Sequence, residues 1–380
     1  MKNLLSLLLL TTALHAALAA DLVILSPTDW QIAQRHSKAA GTIVLRGDAP
    51  HDTTVEWRVT GETPFGALPV GWQKVAARRV GGGFAAQLEL PAGGWYRLEV
   101  RTRRNDETTA EAVIAHVGVG EVFVIAGQSN SANHGEEKQI PKSGKVAAFN
   151  GKTWQPANDP QPGASGGGGS FIPPLGDALA ERLQVPIGFV ATGVGATSVR
   201  EWLPAGTKFP NPPTLLGNVT QLASGEWECR GRIFENFTVR VKQLGSRGFR
   251  AVLWHQGESD ANQRDTTRSL PGPLYEKFLT QLIRDSRVEI GWDAPWFVAQ
   301  VSYHTPGDEA SPDIRAAQAA LWKSGVALAG PDSDALKGEL RERGGKGVHF
   351  SGKGLREHAA RWVEQLAPWL EKQLATPAAR

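Results

Sequence analysis

Between residues 22 and 117 the apolar positions fall in short runs rich in β-branched and aromatic residues, and no helical period is sustained. The runs at 22–25, 42–45, 54–59, 84–90, 96–101 and 112–117 predict strands. Gly47-Asp48, Gly81-Gly82-Gly83 and Pro91-Ala92-Gly93-Gly94 supply turns between them. Such a pattern predicts a small antiparallel β-sandwich of immunoglobulin-like type. From about residue 120 the grammar changes. Continuous apolar strands are predicted at 122–126, 185–191, 251–254, 296–301 and 325–329. Helical stretches alternate with them at 175–183, 234–244, 274–284, 314–323 and 352–374, the last interrupted near Pro368. This alternation predicts an α/β unit, a parallel sheet covered by helices on both faces. The chain therefore divides into an N-terminal segment 1–20, a β-rich domain 21–118 and an α/β domain 119–375. Two loops break the rhythm, a glycine-rich one at 163–170 and a proline-rich one at 204–224, and loops of this length are expected at the rim of a site.

The first twenty residues add a compartment. Lys2, the apolar run 4–10 and the small-residue pattern Ala17-Leu18-Ala19 are those of a secretory signal, with cleavage expected near Ala19 or Ala20 and a secreted or periplasmic product. The apolar run is shorter than the roughly 20 residues that span a bilayer, so no membrane span is expected. A hydrophobic content of 41% over 380 residues is ample for a full core. The 41 basic and 38 acidic residues leave a formal charge of +3, which gives no case for nucleic acid. The single cysteine, Cys229, excludes an intramolecular disulfide. Its neighbours Glu228 and Arg230 offer neither an elbow glycine nor a histidine, so an ordinary thiol is expected.

Candidate chemistry lies where predicted strands end, the usual place for sites on open α/β sheets. The strand 122–126 runs into Gly127-Gln128-Ser129-Asn130, which exposes a serine hydroxyl on a sharp turn. A serine needs a base, and the best one is His349, on a loop just before the last helix. His255, His304 and His349 invite a metal reading, but no His-x-x-x-His or paired-cysteine spacing is present, and no metal is expected. Aromatic faces stack on sugars, and the thirteen tryptophans are abundant against three tyrosines. Trp202, Trp254 and Tyr303 near strand ends suit that role, while Trp57, Trp72 and Trp95 suit the sandwich core.

Gly127-Gln128-Ser129-Asn130, Trp254-His255-Gln256-Gly257-Glu258-Ser259-Asp260 and Val348-His349-Phe350-Ser351 occur in an order and spacing that resembles the sialate O-acetylesterase-like carbohydrate esterases, a branch of the SGNH (GDSL-like) hydrolases. The similarity spans roughly residues 120–370. It implies a three-layer SGNH-hydrolase-like fold and an exported serine esterase that removes O-acetyl groups from carbohydrate without a cofactor. By the same resemblance Ser129 is the nucleophile and His349 the general base and acid. The oxyanion donors are the backbone N–H of Ser129, that of Gly195 (with Gly193 competing) and the side-chain amide of Gln256. Asn130, Asn133, His134, Trp202, His255 and Asp260 are candidate substrate contacts, and His358 a structural residue.

One position departs from the family. SGNH hydrolases place an aspartate three residues before the histidine, and here Lys346 stands there. Either His349 is oriented by a backbone carbonyl or another carboxylate reaches it; Glu258 is the first candidate, followed by Asp260, Glu342 and Asp334. Lys346 also leaves open a catalytically degenerate carbohydrate-binding protein on the same fold. A GDSL-type lipase is the third alternative.

Overall fold

The computed structural model describes residues 22–75 and 83–375. The expected export signal and most of the Gly81-Gly82-Gly83 turn lie outside the described residues. Two antiparallel sheets form the N-terminal part. One pairs Val23–Ser26, Ala40–Asp48 and Gly83–Pro91; the other holds Thr54–Thr60, Gly93–Arg104 and the start of the strand Glu107–Gly127. Strand alternation turns Ile43, Leu45 and Leu88 of the first sheet toward Val59, Leu98 and Val100 of the second, closing one apolar core. Gln31–Gln34, which the sequence did not suggest, pairs parallel with Glu107–Gly127. Trp57 lies in this core, whereas Trp72 sits between the Arg58 and Arg101 guanidinium groups and Trp95 packs edge-on against Trp30.

The central sheet has the order Trp154–Pro156, Val146–Phe149, Ile187–Ala191, Glu107–Gly127, Ala251–His255, Trp296–Gln300, Leu328–Asp332, parallel throughout except at its first pair. Phe123, Ile125, Leu253 and Phe297 face the helices Ile172–Leu183 and Gly352–Ala375. Val122, Val124, Val252, Trp254 and Trp296 face Arg232–Lys242, Gly272–Ile290 and Pro312–Lys323 on the other side. Burial on both faces is why these strands are continuously apolar. The helix Gly352–Ala375 passes through Pro368 without ending. The segment 204–224 is more ordered than its prolines suggested, with Lys208–Phe209 and Val219–Gln221 both pairing with Trp227–Cys229. Cys229 is buried, and desolvation pushes its thiol up to about 11, so it is inert. Among the described residues no helix is long and apolar enough to cross a membrane.

The two strands predicted at 112–117 and 122–126 are one strand of 21 residues, Glu107–Gly127, shared by both sheets. The domain boundary expected at 118/119 falls inside it. Gly120 serves close approach: a Cβ there would stand 1.9 Å from the Pro186 carbonyl oxygen. Between Gly120 and the site lies Glu121, fully buried, held by Arg35 Nε and Arg250 Nε at 2.7 Å each and by Gln34 Nε2 at 2.9 Å.

Candidate active site

Three neighbouring strands end together at the top of the sheet. Gly127, with φ of +127°, turns the chain sharply out of the central strand; its Cβ position lies 2.1 Å from the His255 carbonyl oxygen, which excludes any side chain. The turn continues as Ser129–Ser131, fixed by Ser131 Oγ donating to Gln128 O at 2.7 Å. The strand Ile187–Ala191 on one side delivers Gly195 and Ala196, and Ala251–His255 on the other delivers Glu258 and Ser259. His349 arrives from a loop ahead of the last helix. Gln128, Ser129, His134, Ser165, Gly195, Glu258 and His349 all line one cleft of about 700 Å³.

The carboxylate against the imidazole is that of Glu342. Its Oε1 lies 3.0 Å from His349 Nδ1 and also accepts from the His349 backbone N–H at 3.4 Å. The backbone prepares this pair. Glu342 N–H donates to His349 O at 2.9 Å, Arg341 bridges Phe350, and Arg343, Gly344 and Gly345 all adopt positive φ, so residues 342 and 349 face each other across a tight loop. Gly347 makes the room: a Cβ there would stand 2.2 Å from Glu342 Cγ. Desolvation holds the His349 pKa below its ordinary value while the Glu342 carboxylate partly restores it. His134, stacked on His349 at 5.4 Å between centroids, is likewise lowered, first by burial and then by His349.

Glu258, the first candidate for that role, is elsewhere. Its Oε1 accepts from Asn130 Nδ2 at 2.9 Å, its Oε2 has no partner among the described residues, and burial pushes its pKa up to about 7. Asp260 is fully buried, accepting from Val199 N–H at 2.8 Å and from Gln256 Nε2 at 2.7 Å. Asp334 is bound to the Ser302 and Tyr303 backbone and to Arg315.

Two of the three expected oxyanion donors are already engaged. The Gly195 N–H donates to Ser165 Oγ at 2.7 Å, and the same hydroxyl lies 3.1 Å from His134 Nε2. Gln256 is fully buried, its amide nitrogen bonded to Asp260, to Thr197 O at 3.2 Å and to Gln128 Oε1 at 3.3 Å. Among the described residues the backbone N–H groups of Ser129 and of Ala196, the latter at φ +59°, have no such acceptor. Gly193 stands close to Ser131 and does not line the cleft.

Of the expected substrate contacts only His134 lines the cleft. Asn130 is buried and its amide ties Glu258 to the Val348 carbonyl, bridging the serine turn to the histidine loop. Asn133 donates to Gln161 O at 3.0 Å, just ahead of the glycine-rich loop, and to Ala164 O within it at 3.3 Å. Trp202 and Trp254 stack edge-on in the core at 5.1 Å, and Tyr303 lies under the Arg341 guanidinium, so none of the three presents a face to sugar. His255 is buried with Nε2 3.0 Å from Ser333 Oγ, next to His358, whose Nε2 accepts from Trp362 Nε1 at 3.0 Å. The sequence did not mark Ser165, Arg343 or Gln128 as cleft residues. Among the described residues no group of His, Cys, Asp and Glu converges as metal ligands.

Residues 119–367 match the family described as carbohydrate esterase, sialic acid-specific acetylesterase. A solved carbohydrate acetylesterase from Xanthomonas citri shares the fold, with a TM-score of 0.52 and 17% sequence identity over 90% of this chain and 73% of that one. A family two carbohydrate esterase from Clostridium thermocellum superposes less well, with a TM-score of 0.37 at 12% identity over 88% and 89% of the two chains. No curated protein matches at the level of sequence.

Proposed function

This chain belongs to the carbohydrate esterase family of sialic acid-specific acetylesterases, and from that premise we propose that it hydrolyses O-acetyl groups on carbohydrate through an acetyl-enzyme on Ser129. The observation that carries the mechanism is the convergence of Ser129, His349 and Glu342 on one cleft, with Glu342 Oε1 3.0 Å from His349 Nδ1.

Glu342 accepts a hydrogen bond from the Nδ1–H, which leaves Nε2 as the basic nitrogen. Because burial keeps His349 neutral near pH 7, that nitrogen is available to take the Ser129 hydroxyl proton. Ser129 Oγ adds to the acetyl carbonyl carbon and the π electrons move to oxygen. Collapse expels the sugar oxygen, which takes the proton back from His349. Water then repeats the sequence on the acetyl-enzyme, releasing acetate. Glu342 stabilises the imidazolium formed in both halves. Lys346 left open a carbohydrate-binding protein without activity; Glu342 beside the imidazole supports the catalytic reading instead.

Arg343 and Lys346 line the same cleft and make no ion pair among the described residues, which suits an acetylated sugar carrying a carboxylate. The N-terminal sheets support an immunoglobulin-like sandwich, because the first strand splits between them: Val23–Ser26 pairs with one sheet and Gln31–Gln34 with the other. We assign it a supporting role beside the 119–375 catalytic unit, and residues 1–20 the role of an export signal.

Replacing Ser129 by alanine is expected to abolish acetate release from acetylated sialic acid and from p-nitrophenyl acetate while leaving the thermal midpoint unchanged. Full activity in Ser129→Ala would overturn the assignment. Faster turnover of long-chain esters than of acetyl esters would move the reading to a lipase.

A further inference from the structure

Gln128 immediately precedes the nucleophile, lines the cleft and is otherwise buried. Its Oε1 accepts from the Ser259 backbone N–H at 3.0 Å and from Gln256 Nε2 at 3.3 Å. A backbone N–H can only donate, so this contact fixes which end of the amide is oxygen and turns Nε2 the other way. That nitrogen has no acceptor among the described residues and is not sealed from solvent. Gln256, the residue whose amide was expected to meet the substrate, is spent behind it: its two hydrogens are divided among Asp260 at 2.7 Å, Thr197 O at 3.2 Å and Gln128 Oε1 at 3.3 Å, one of them shared, and these contacts orient it toward Gln128.

We propose that the side-chain amide of Gln128, beside the Ser129 N–H, is the donor that stabilises the oxyanion, and that Gln256 and Asp260 are positioning residues acting through it. The inference rests on Ser129 being the nucleophile. When Ser129 Oγ bonds to the carbonyl carbon, its proton goes to His349 and the carbonyl π pair becomes a lone pair on oxygen; Gln128 exchanges no proton and offers one N–H to that charge. Two donors onto the Gln128 carbonyl polarise its amide and strengthen the outward N–H. The amide is also fixed before substrate arrives, which is the condition under which such a donor acts on the transition state rather than on binding.

The test uses the full chain with p-nitrophenyl acetate and a carbohydrate acetyl ester, comparing Gln128→Met, Gln256→Met, the double variant and Ser129→Ala. Gln128→Met keeps the length of the side chain and removes the donor; kcat is expected to fall on the order of 10²- to 10³-fold, as for loss of one oxyanion donor, with KM within threefold. Gln256→Met should lower kcat less, and the double variant should be no worse than Gln128→Met, a coupling that a purely structural role would not give. Affinity for a trifluoromethyl ketone analogue of the acetyl group should fall by the same factor as kcat. If Gln128→Met does not fold, Gln128→Glu, which still accepts from the Ser259 N–H, takes its place and should lose more. A kcat within threefold of wild type, or a rise in KM alone, overturns the assignment while Ser129→Ala remains inactive. Activity surviving in Ser129→Ala would instead remove the nucleophile on which it rests.

Discussion

Replacing Glu342 by glutamine tests the third member of the site directly. The carboxylate oxygen lies 3.0 Å from His349 Nδ1, with the two side chains 13% and 23% exposed. At that distance a full charge pair is worth roughly 1.4 kcal/mol at the dielectric of water and about 2.8 kcal/mol at half that value, the range suited to a partly exposed pair. In the proposed mechanism the imidazolium exists only while His349 holds the serine proton, so this energy is lost from the transition state and kcat/KM should fall about ten- to hundredfold. A glutamine amide can also turn its N–H toward Nδ1 and force the proton onto Nε2, which would deepen the loss. The pH profile separates this from general damage. Glu342 raises the His349 pKa against the larger lowering by burial, so removing its charge moves the acid limb of kcat/KM downward. The assay is p-nitrophenyl acetate hydrolysis from about pH 4 to pH 9 on protein whose thermal midpoint has been checked. A kcat/KM within threefold of wild type with an unmoved acid limb would refute Glu342 as the orienting acid.

Gly347→Ala should reproduce most of the Glu342→Gln defect, because the new Cβ would stand 2.2 Å from Glu342 Cγ and push the carboxylate aside; the double variant should be no slower than the worse single one, and additive losses would contradict this. Acid should weaken the fold through two imidazoles beneath the site. Burial pushes His255 down to about 3 and His358 well below its ordinary value, so both are neutral when folded and take protons when unfolded. With folded pKa values below the unfolded 6.5, their contribution is intact above pH 6.5 and lost progressively as pH falls toward the folded values. Each should cost about 1 kcal/mol over the first pH unit and about 1.4 kcal/mol per unit thereafter. Urea melts at pH 7 and pH 5 measure it, and equal midpoints would rule out neutral burial.

Much of this was legible in the sequence wherever one physical signal sufficed. Burial on both faces writes continuous apolar strands, so the parallel sheet and the strand ends carrying Ser129 and Glu258 could be read directly. What stayed illegible depends on where side chains go after the strands end. Glu342 is seven residues from His349 and meets it only because residues 343–345 take positive φ and Gly347 leaves a gap; the glycines are visible in the sequence, but the loop they close is not. Gln256 was assigned by position in a motif, whereas hydrogen bonds to Asp260 and Thr197, set by tertiary packing, turn its amide away from the cleft. The boundary at 118/119 fell inside a continuous strand because the pattern changes there from one-sided to two-sided burial, while the backbone runs on.

The strand Glu107–Gly127 couples the two halves of the molecule through a single hydrogen-bonded ladder. Pulling or melting the N-terminal sheets would draw on the backbone that carries the Ser129 turn, and cutting the chain near residue 119 would strip Glu121 of Arg35 while leaving its charge buried. The halves should therefore unfold as one cooperative unit, with the amide protons of Phe123–Ala126 among the slowest to exchange. The N-terminal sheets are in this sense the root of the strand that ends at Ser129, and a transplanted α/β unit would have to bring them along.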